Sequence, residues 1–413
     1  MKICVIGLGY IGLPTALLFA QRHEVIGVDI NKEIVDKLND GEIPFEEPGL
    51  KDLFEKVKNN FFPRTEVEAA DVYLIAVPTP LNRSVKVADL KHVQSAARKI
   101  YMHLKKEDLI ILESTVPPGT SERLVMPILG QSSLKLGDFY FVHCPERAIP
   151  GNTINEMIHN DRIIGGFDKK SADLAKELYT SFVKGNLYLT DIRTAELVKL
   201  MENSYRDINI ALANEFAKIA DECKINIWET IALANKHPRV NILKPGPGVG
   251  GHCISIDPWF LTESTTKCRM VSLAREINDS MPNNVIKIVR GLLEKVIDPT
   301  ITVLGVAYKG NVDDTRETPA LKFIKLAENE GFKVKVHDPY VKEFEYEILK
   351  LEEAVKESDC IVVITDHEMF KNISPIEISG LMKNKNLMDT RNILDHEKWQ
   401  GAGFNISVLG RRF

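Results

Sequence analysis

Lys2-Ile-Cys-Val-Ile-Gly-Leu-Gly-Tyr-Ile-Gly-Leu-Pro-Thr-Ala-Leu-Leu-Phe-Ala20 decides the fold. A short apolar run ending at Ile6 breaks at once into Gly7, Gly9 and Gly12. An apolar stretch with Pro14 in its first turn follows. Strand, glycine turn and helix therefore come in the order that a dinucleotide-binding βα turn requires. Gly7 permits the tight turn, Gly9 lets the backbone approach a pyrophosphate, and Gly12 lets helix and strand pack closely, while the helix N-terminus faces the negative charge. The intervening Tyr10 and Ile11 belong to the same cradle. Glu24-Val-Ile-Gly-Val-Asp29 is a second strand ending in an acid about 20 residues beyond the glycines, where a carboxylate accepts from ribose hydroxyls. An acid there disfavours a 2′-phosphate, so the expected cofactor is NAD rather than NADP. A βα turn with no ligand is the bland alternative, and two strands with Asp29 in register count against it.

Farther along, Gly246-Pro-Gly-Val-Gly-Gly-His-Cys-Ile-Ser-Ile-Asp-Pro258 sets one thiol, Cys253, among backbone-permissive residues, with the carboxylate of Asp257 four positions on. The composition suits a loop whose backbone comes close to something bulky, and Cys253 is its only strong latent nucleophile. A lone cysteine in a turn more often packs than reacts. Beside a dinucleotide site it fits an oxidation in which the thiol captures an aldehyde. Hydride then leaves the thiohemiacetal carbon for NAD, and water hydrolyses the resulting thioester. That chemistry needs a thiolate-prone Cys, a cation or amide to hold an oxyanion, and a carboxylate to activate water. Cys253, Lys199 with Asn203, and Glu146 fit those roles.

At 413 residues, 44% hydrophobic and 27% charged, the chain is long enough for two or three domains with real cores. A formal charge of -5 carries no footprint for nucleic acid or an acidic membrane. No apolar run approaches the roughly 20 residues that span a bilayer, and Met1-Lys-Ile leads directly into the first strand without room for a signal peptide, so a cytoplasmic protein is expected. The six cysteines show no CxxC spacing, which argues against a disulfide framework and against a zinc site; no metal is expected. Cys4 and Cys360 sit in apolar strand-like runs and read as inert core residues.

Strand-like runs recur at Val72–Val77, Leu109–Leu112 and Phe139–Val142, separated by helical stretches, as in a doubly wound parallel sheet. Val77-Pro-Thr-Pro80, Glu113-Ser-Thr-Val-Pro-Pro-Gly119 and His143-Cys-Pro-Glu-Arg147 fall at their carboxyl ends, where ligands of open α/β sheets bind. Arg162–Phe167 and Leu187–Leu189 complete a first domain, residues 1–190. From Asp191 to about Ala234 glycine and proline disappear, which reads as one long helical segment within a central region, 191–297. Lys199, Asn203 and Arg206 recur on one face of it. The bland alternative is a solvated stripe whose bases pair with Glu196 and Glu202. The last third, 298–413, restarts the alternation with runs at Thr300–Val306, Lys333–His337, Cys360–Ile364 and Asn405–Leu409, and a helix from about Pro319. The expected architecture is thus two Rossmann-like domains joined by a helical segment. The turn Gly305-Val-Ala-Tyr-Lys-Gly310 lacks the dinucleotide pattern, but Lys309, with Arg316 nearby, suits a phosphorylated ligand.

Taken together, Gly7-Leu-Gly-Tyr-Ile-Gly-Leu-Pro14, Val77-Pro-Thr-Pro80, Ser114-Thr-Val-Pro-Pro-Gly119, Pro145-Glu-Arg147, Ala195-Glu-Leu-Val-Lys199 with Asn203, Gly250-Gly-His-Cys253 with Asp257, and Gly305-Val-Ala-Tyr-Lys309 with Asp314-Thr-Arg316 resemble the UDP-glucose/GDP-mannose dehydrogenase family over essentially the whole chain. The resemblance implies an N-terminal NAD domain, a central helix that builds a homodimer or a dimer of dimers, and a C-terminal domain that holds UDP. It implies two successive hydride transfers from C6 of the sugar, with two NAD per turnover. It makes Cys253 the nucleophile, Lys199 and Asn203 the stabilisers of charge on the C6 oxygen, Glu146 the handler of water, and Asp257 a partner of Cys253 through a water shared with Thr115. Gly7, Gly9, Gly12, Asp29, Thr79, Thr115 and Arg316 are the implied NAD contacts. Arg147, Arg206, Gly250, Lys309, Arg391 and Arg239, the last reaching over from a neighbouring subunit, fall on the substrate side.

One departure narrows the substrate. Where members acting on UDP-glucose tend to carry a second acid four positions after the Glu of Pro-Glu, this chain has Pro150. Pro145-Glu-Arg147 and Asn203-Ser-Tyr-Arg-Asp-Ile-Asn209 resemble the branch acting on UDP-N-acetylhexosamines, and Asp257-Pro-Trp-Phe260 its N-acetyl-D-mannosamine members rather than its N-acetyl-D-glucosamine members. His252 is expected to be a hydrogen-bonded structural residue. The competing readings are the glucosamine epimer as substrate, a two-electron hydroxyacid dehydrogenase, and a non-catalytic NAD-binding redox sensor.

Overall fold

The apolar runs become strands of two main parallel sheets in a computed structural model that describes residues 1–132, 134–135 and 137–411. The chain divides into one unit made of Met1–Glu202 with Trp259–Thr266, and a second made of Asn203–Pro258 with the chain from Lys267 onward.

The first unit contains β1 (Lys2–Ile6), β2 (Glu24–Val28), β3 (Phe61–Arg64), β4 (Val72–Ile75), the hairpin β5 (Leu81–Asn82) and β6 (Val87–Ala88), β7 (Leu109–Leu112), β8 (Tyr140–His143), β9 (Arg162–Gly166) and β10 (Leu187–Asp191). Its large sheet runs β10-β9-β8-β7-β4-β1-β2-β3. The part from β3 to β8 has the doubly wound order of dinucleotide-binding sheets, with the order reversing between β1 and β4. Strands buried on both faces need apolar side chains at every position: Ile3 and Val5 pack into one layer, Cys4 and Ile6 into the other. β3 carries Pro63, which the edge position tolerates because a missing N–H there costs no ladder bond.

Two expectations need correction. The first sheet is not parallel throughout: β9 runs antiparallel to β8 over the pairs Val142↔Gly166 and His143↔Gly165. The side-chain-free backbone there gives room to Ala195 and Ala172, which a Cβ on Gly165 or Gly166 would meet at 2.6 and 2.7 Å. Nor is 191–234 one helix. It divides into Ile192–Cys223 and Ile227–Ala234, because Lys224 turns left-handed at φ 57° and the Asn226 side chain accepts from Trp228 N at 3.2 Å, starting a new helix.

The second unit holds β11 (Thr300–Leu304), β12 (Lys333–His337), β13 (Cys360–Val363), β14 (Asn386–Asp389) and β15 (Asn405–Val408), all parallel in the order β12-β11-β13-β14-β15. Helix Ile192–Cys223, which belongs to this unit from Asn203 onward, and helix Arg269–Leu292 are tied by a buried polar network. Arg275 donates to Asp207 at 2.6 Å, Asn278 to the same carboxylate at 2.8 Å, and Asn214 to Asn278 Oδ1 at 2.9 Å. Trp228 Nε1 donates to Leu409 O at 2.8 Å, and the adjoining Gly410, at φ 69°, packs on Ala217 and Ile227. Cys4, Cys144 and Cys360 are buried, and burial pushes the first two thiols up to about 12 and about 11 and raises the third as well.

A Cβ on Gly12 would lie 1.9 Å from Gly7 O, a backbone atom that cannot move without opening the turn. Gly12→Ala is therefore expected to destabilise the first unit by about 2–4 kcal/mol in urea unfolding. A transition superimposable on that of the unsubstituted protein would contradict the packing described.

Candidate active site

At the switch point of the first sheet, Gly7 adopts φ 96°, and a Cβ there would meet Ala76 O at 2.5 Å. Gly9 is different: an added Cβ finds nothing within 4 Å. No protein packing requires glycine there, so the open space over Gly9 fits the close backbone approach of a pyrophosphate at the start of helix Gly12–Ala20. Half-buried Asp29 accepts Leu8 N through Oδ2 and Asn31 N through Oδ1, both at 2.8 Å. Its carboxylate anchors the turn and stays partly open to solvent, which fits a ribose acceptor. Tyr10 stacks on Phe45 with ring centroids 4.3 Å apart, and Ile11 is half-buried beside the helix start. Thr79 Oγ1 donates to Thr115 O at 2.8 Å, joining the loops after β4 and β7. These residues fit NAD, whose chemistry when bound is to accept hydride.

Glu146 follows β8 and is buried. Its Oε1 accepts Arg147 N at 2.6 Å and Ala148 N at 2.8 Å, and its Oε2 pairs with Arg162 at 2.5 Å. The same guanidinium reaches Glu113 at 3.4 Å, a carboxyl that also accepts from Thr15 at 3.1 Å. Burial pushes the Glu113 carboxyl up, against the opposing pull of Arg162. One cation thus serves two buried carboxylates, and Glu146 is a fixed group with few remaining degrees of freedom. Arg147 pairs with Glu202 at 2.5 Å and donates to Asp161 O at 2.7 Å. Glu196 accepts Gly119 N at 2.5 Å and Ser121 N at 2.9 Å. Glu196 and Glu202, the two glutamates that a solvated stripe would have paired with its bases, are thereby engaged elsewhere. Lys199, 7% exposed, has no ion-pair partner among the described residues.

In the second unit Asn203 Nδ2 donates to Asp257 Oδ2 at 2.5 Å, and Arg206 donates to Asn203 Oδ1. The carbonyl of Cys253 accepts Ile256 N at 3.1 Å and Asp257 N at 2.8 Å. This single helical turn sets half-buried Cys253 one step before Asp257, which begins helix Asp257–Ser264. The bulky neighbours foreseen for the glycine loop belong to the protein itself. A Cβ on Gly250 would meet Tyr308 Cβ at 2.7 Å, one on Gly251 the Tyr308 ring at 2.9 Å, and one on Gly246 Arg391 at 2.7 Å. Gly246 N donates to Asn214 Oδ1 at 2.8 Å, so the buried helix network also carries the loop. Arg391 donates through Nε to Ile364 O at 2.7 Å, Arg316 grips Asp314 at 2.9 and 2.6 Å, and Lys309 is exposed on the turn after β11.

Each unit therefore assembles its own half of the expected set. Gly7, Gly9, Asp29, Thr79, Thr115 and Glu146 line carboxyl ends of the first sheet; in the second unit Asp257, Asn203 and Arg206 are hydrogen-bonded together, Cys253 and Gly250 lie on the loop that leads to Asp257, and Arg391 packs on Gly246 of that loop. Arg239 stands apart on an exposed turn after helix Ile227–Ala234. Sequence reading passed over Glu113, Arg162 and Tyr308. A guanidinium opening an otherwise apolar strand was the available signal for Arg162, since such a charge must find a partner inside.

Models of the UDP-glucose/GDP-mannose dehydrogenase family match the chain at residues 1–183 (NAD binding domain), 193–280 (central domain) and 302–396 (UDP binding domain). The chain belongs to this family and is an NAD-dependent dehydrogenase with a UDP-sugar substrate. It is 51% identical to the UDP-N-acetyl-D-mannosamine dehydrogenase of Methanococcus maripaludis over 99% of this chain and 97% of that one. It is similar to the solved structure of the UDP-D-ManNAc dehydrogenase from Pyrococcus horikoshii, with a TM-score of 0.94 and 42% identity, covering 100% of this chain and 99% of that one. An NDP-N-acetyl-D-galactosaminuronic acid dehydrogenase of Ralstonia nicotianae is 42% identical over 94% of this chain and 95% of its own length. Among the described residues no cluster of three or more His, Cys, Asp or Glu could hold a metal ion, and no helix is long and apolar enough to cross a membrane.

Asp29→Ala removes the anchor of the glycine turn and the acid expected to accept from a ribose, so NADH affinity should fall roughly tenfold or more in a fluorescence titration. Unchanged affinity would make Asp29 a turn anchor alone. Arg162→Met should cost about 3–5 kcal/mol by leaving two buried carboxylates without their cation, and adding Glu113→Gln should recover part of it. Denaturation curves showing no loss would mean the charges are compensated elsewhere.

Proposed function

We propose that the protein oxidises C6 of UDP-N-acetyl-D-mannosamine to the carboxylate of UDP-N-acetyl-D-mannosaminuronate, using two NAD and one water per sugar. The observation that carries this reading is the linked set Cys253, Asp257, Asn203 and Arg206, in which a thiol sits one helical turn from a carboxylate that an amide already holds. The choice of sugar is supported by Pro150 standing where a second acid would serve glucose, and by relatives named for N-acetyl-D-mannosamine.

In this reading C6 gives up a hydride twice, becoming first an aldehyde and later a thioester, and bound NAD would supply the acceptor. Cys253 adds to the aldehyde carbon, and the thiohemiacetal keeps the carbon tethered for the second oxidation. Lys199, a buried cation without a carboxylate partner among the described residues, and Asn203 hold the negative charge that develops on the C6 oxygen. Asp257, with a water shared with Thr115, takes the protons released, and Glu146 orients the water that hydrolyses the thioester. The carboxylate leaves, and the Cys253 thiol is restored. Gly7, Gly9, Tyr10, Ile11, Gly12, Asp29, Thr79, Thr115 and Arg316 serve NAD; Arg147, Gly250, Lys309, Arg391 and the neighbouring subunit's copy of Arg239 serve the sugar nucleotide.

The division of labour is NAD binding by 1–190, dimerisation and the thiol loop in 191–297, and UDP binding by 298–413, in a cytoplasmic enzyme. Exposed Met201, Tyr205, Leu212, Phe216 and Ile219 form an apolar stripe along helix Ile192–Cys223 that supports a homodimer, alone or paired into a dimer of dimers.

The test is an assay with NAD and each of the UDP-N-acetyl-mannosamine, -glucosamine and -galactosamine epimers, counting NADH and identifying the product. Two NADH and a uronate from the mannosamine epimer are expected. Cys253→Ser should bind both ligands yet lose at least about a hundredfold in acid formation, because a hydroxyl is far less nucleophilic at neutral pH. One NADH per sugar with full activity in that variant would remove the thioester route, and tight NADH binding without turnover of any UDP-sugar would favour a redox sensor.

A further inference from the structure

The two sheets repeat one device at the end of their second strand. In the first unit, Gly7 N donates to Val28 O at 2.7 Å, and Asp29 collects the N–H groups of Leu8 and Asn31. In the second unit, Gly305 N donates to His337 O at 2.8 Å, and Asp338 collects those of Val306 at 2.7 Å and Tyr340 at 2.9 Å. Gly305 is left-handed at φ 88°, as Gly7 is at 96°. Asp338 therefore occupies the place of the ribose-binding acid, yet it is used differently. It also accepts Ala307 N at 3.2 Å, Val341 N at 3.0 Å and His367 Nε2 at 3.0 Å, and it is 4% exposed. Those bonds outweigh its burial and hold its carboxyl at about 2.

His367 is wholly buried between the rings of Tyr340 and Phe370. Its Nδ1 accepts Asn311 N at 2.9 Å, which leaves the ring proton on Nε2 to donate to Asp338. One ring thus ties the inward-turned acid to the far end of the loop 305–311. The loop is closed from the same side: Thr365 Oγ1 donates to Ala307 O at 2.7 Å, and a Cβ on Gly310 would meet Asp366 O at 2.4 Å. The loop carries Tyr308, which packs on Gly250 and Gly251, and Lys309, the base assigned to the sugar nucleotide.

We propose that His367 is a positioning residue for sugar-nucleotide binding: it withdraws Asp338 from ligand contact and fixes the 305–311 loop so that Lys309 meets the diphosphate. An unlatched carboxylate at this strand end would repel a diphosphate and accept a ribose, the recognition that suits NAD in the first unit. The inference rests on the reading that the 305–311 loop binds the sugar nucleotide.

Steady-state kinetics on His367→Ala, His367→Asn and Lys309→Ala separate the two ideas. His367→Ala should raise the KM for the UDP-sugar roughly tenfold or more while the KM for NAD stays within about twofold. His367→Asn places Oδ1 where Nδ1 accepts from Asn311, so it should recover part of the loss, and it serves as the primary variant should the alanine protein not fold. A folded His367 variant with unchanged KM for the UDP-sugar, or with both KM values raised alike, overturns the positioning role. If Lys309→Ala raises the UDP-sugar KM while the His367 variants do not, the loop reading stands and this proposal fails. If Lys309→Ala leaves it unchanged, the loop reading and the proposal fall together.

Discussion

Peptide N–H groups at the carboxyl end of a parallel sheet have no further strand to bond, and in this protein a carboxylate gathers them: Asp29 for Leu8 and Asn31, Asp338 for Val306 and Tyr340. Bonds to an ionised acceptor stabilise by about 1.5–3 kcal/mol each, enough to hold a left-handed glycine and the open turn behind it. Everything placed at those edges depends on this. The difference between the two halves lies in what else the acid touches, since Asp29 retains solvent-facing capacity and Asp338 spends its own on the protein.

Loops carrying chemistry are held in the same way by buried side chains on helices. Asn214 accepts from Gly246 while bonding to Asn278, which meets the Asp207 and Arg275 pair. Glu196 fixes the loop at Gly119 and Ser121. Removing one member of such a network leaves its buried partners unpaired, which is costly, so the loops it carries keep one geometry.

Much of this was legible in the chain because period and punctuation are local. The glycine turn, Asp29 and the strand runs of both sheets follow from nearest-neighbour patterns, and Pro319 begins its helix where the first-turn rule places it. The family motifs pointed to Cys253, Asn203 and Asp257 as one group, although Asn203 lies 54 residues before Asp257; a hydrogen bond joins those two in the second unit. The break at Lys224 was hidden because no glycine or proline marks it, only the capping ability of Asn226. β3 and β14 were missed because polar or strand-breaking residues take up part of their four positions, Pro63 and Arg64 in one and Asn386 and Asp389 in the other. The reversal of β9 and the sharing of Arg162 between two acids are properties of tertiary pairing, to which no local pattern is sensitive.

The distribution of sulfur has a practical side. Three thiols lie in the sheets and loops of the interior, where low polarity keeps them protonated and out of reach, and Cys223 ends a long helix in open solvent. An alkylating probe applied to the folded protein would therefore meet Cys223, and Cys268 in part, whatever happens at Cys253, and a count of labels would mix the three. A chain with serine at 223 and at the half-buried Cys268 would leave Cys253 as the one thiol not buried, giving electrophile profiling of its loop a clean background, and would remove the exposed sulfur through which oxidising storage could crosslink two molecules.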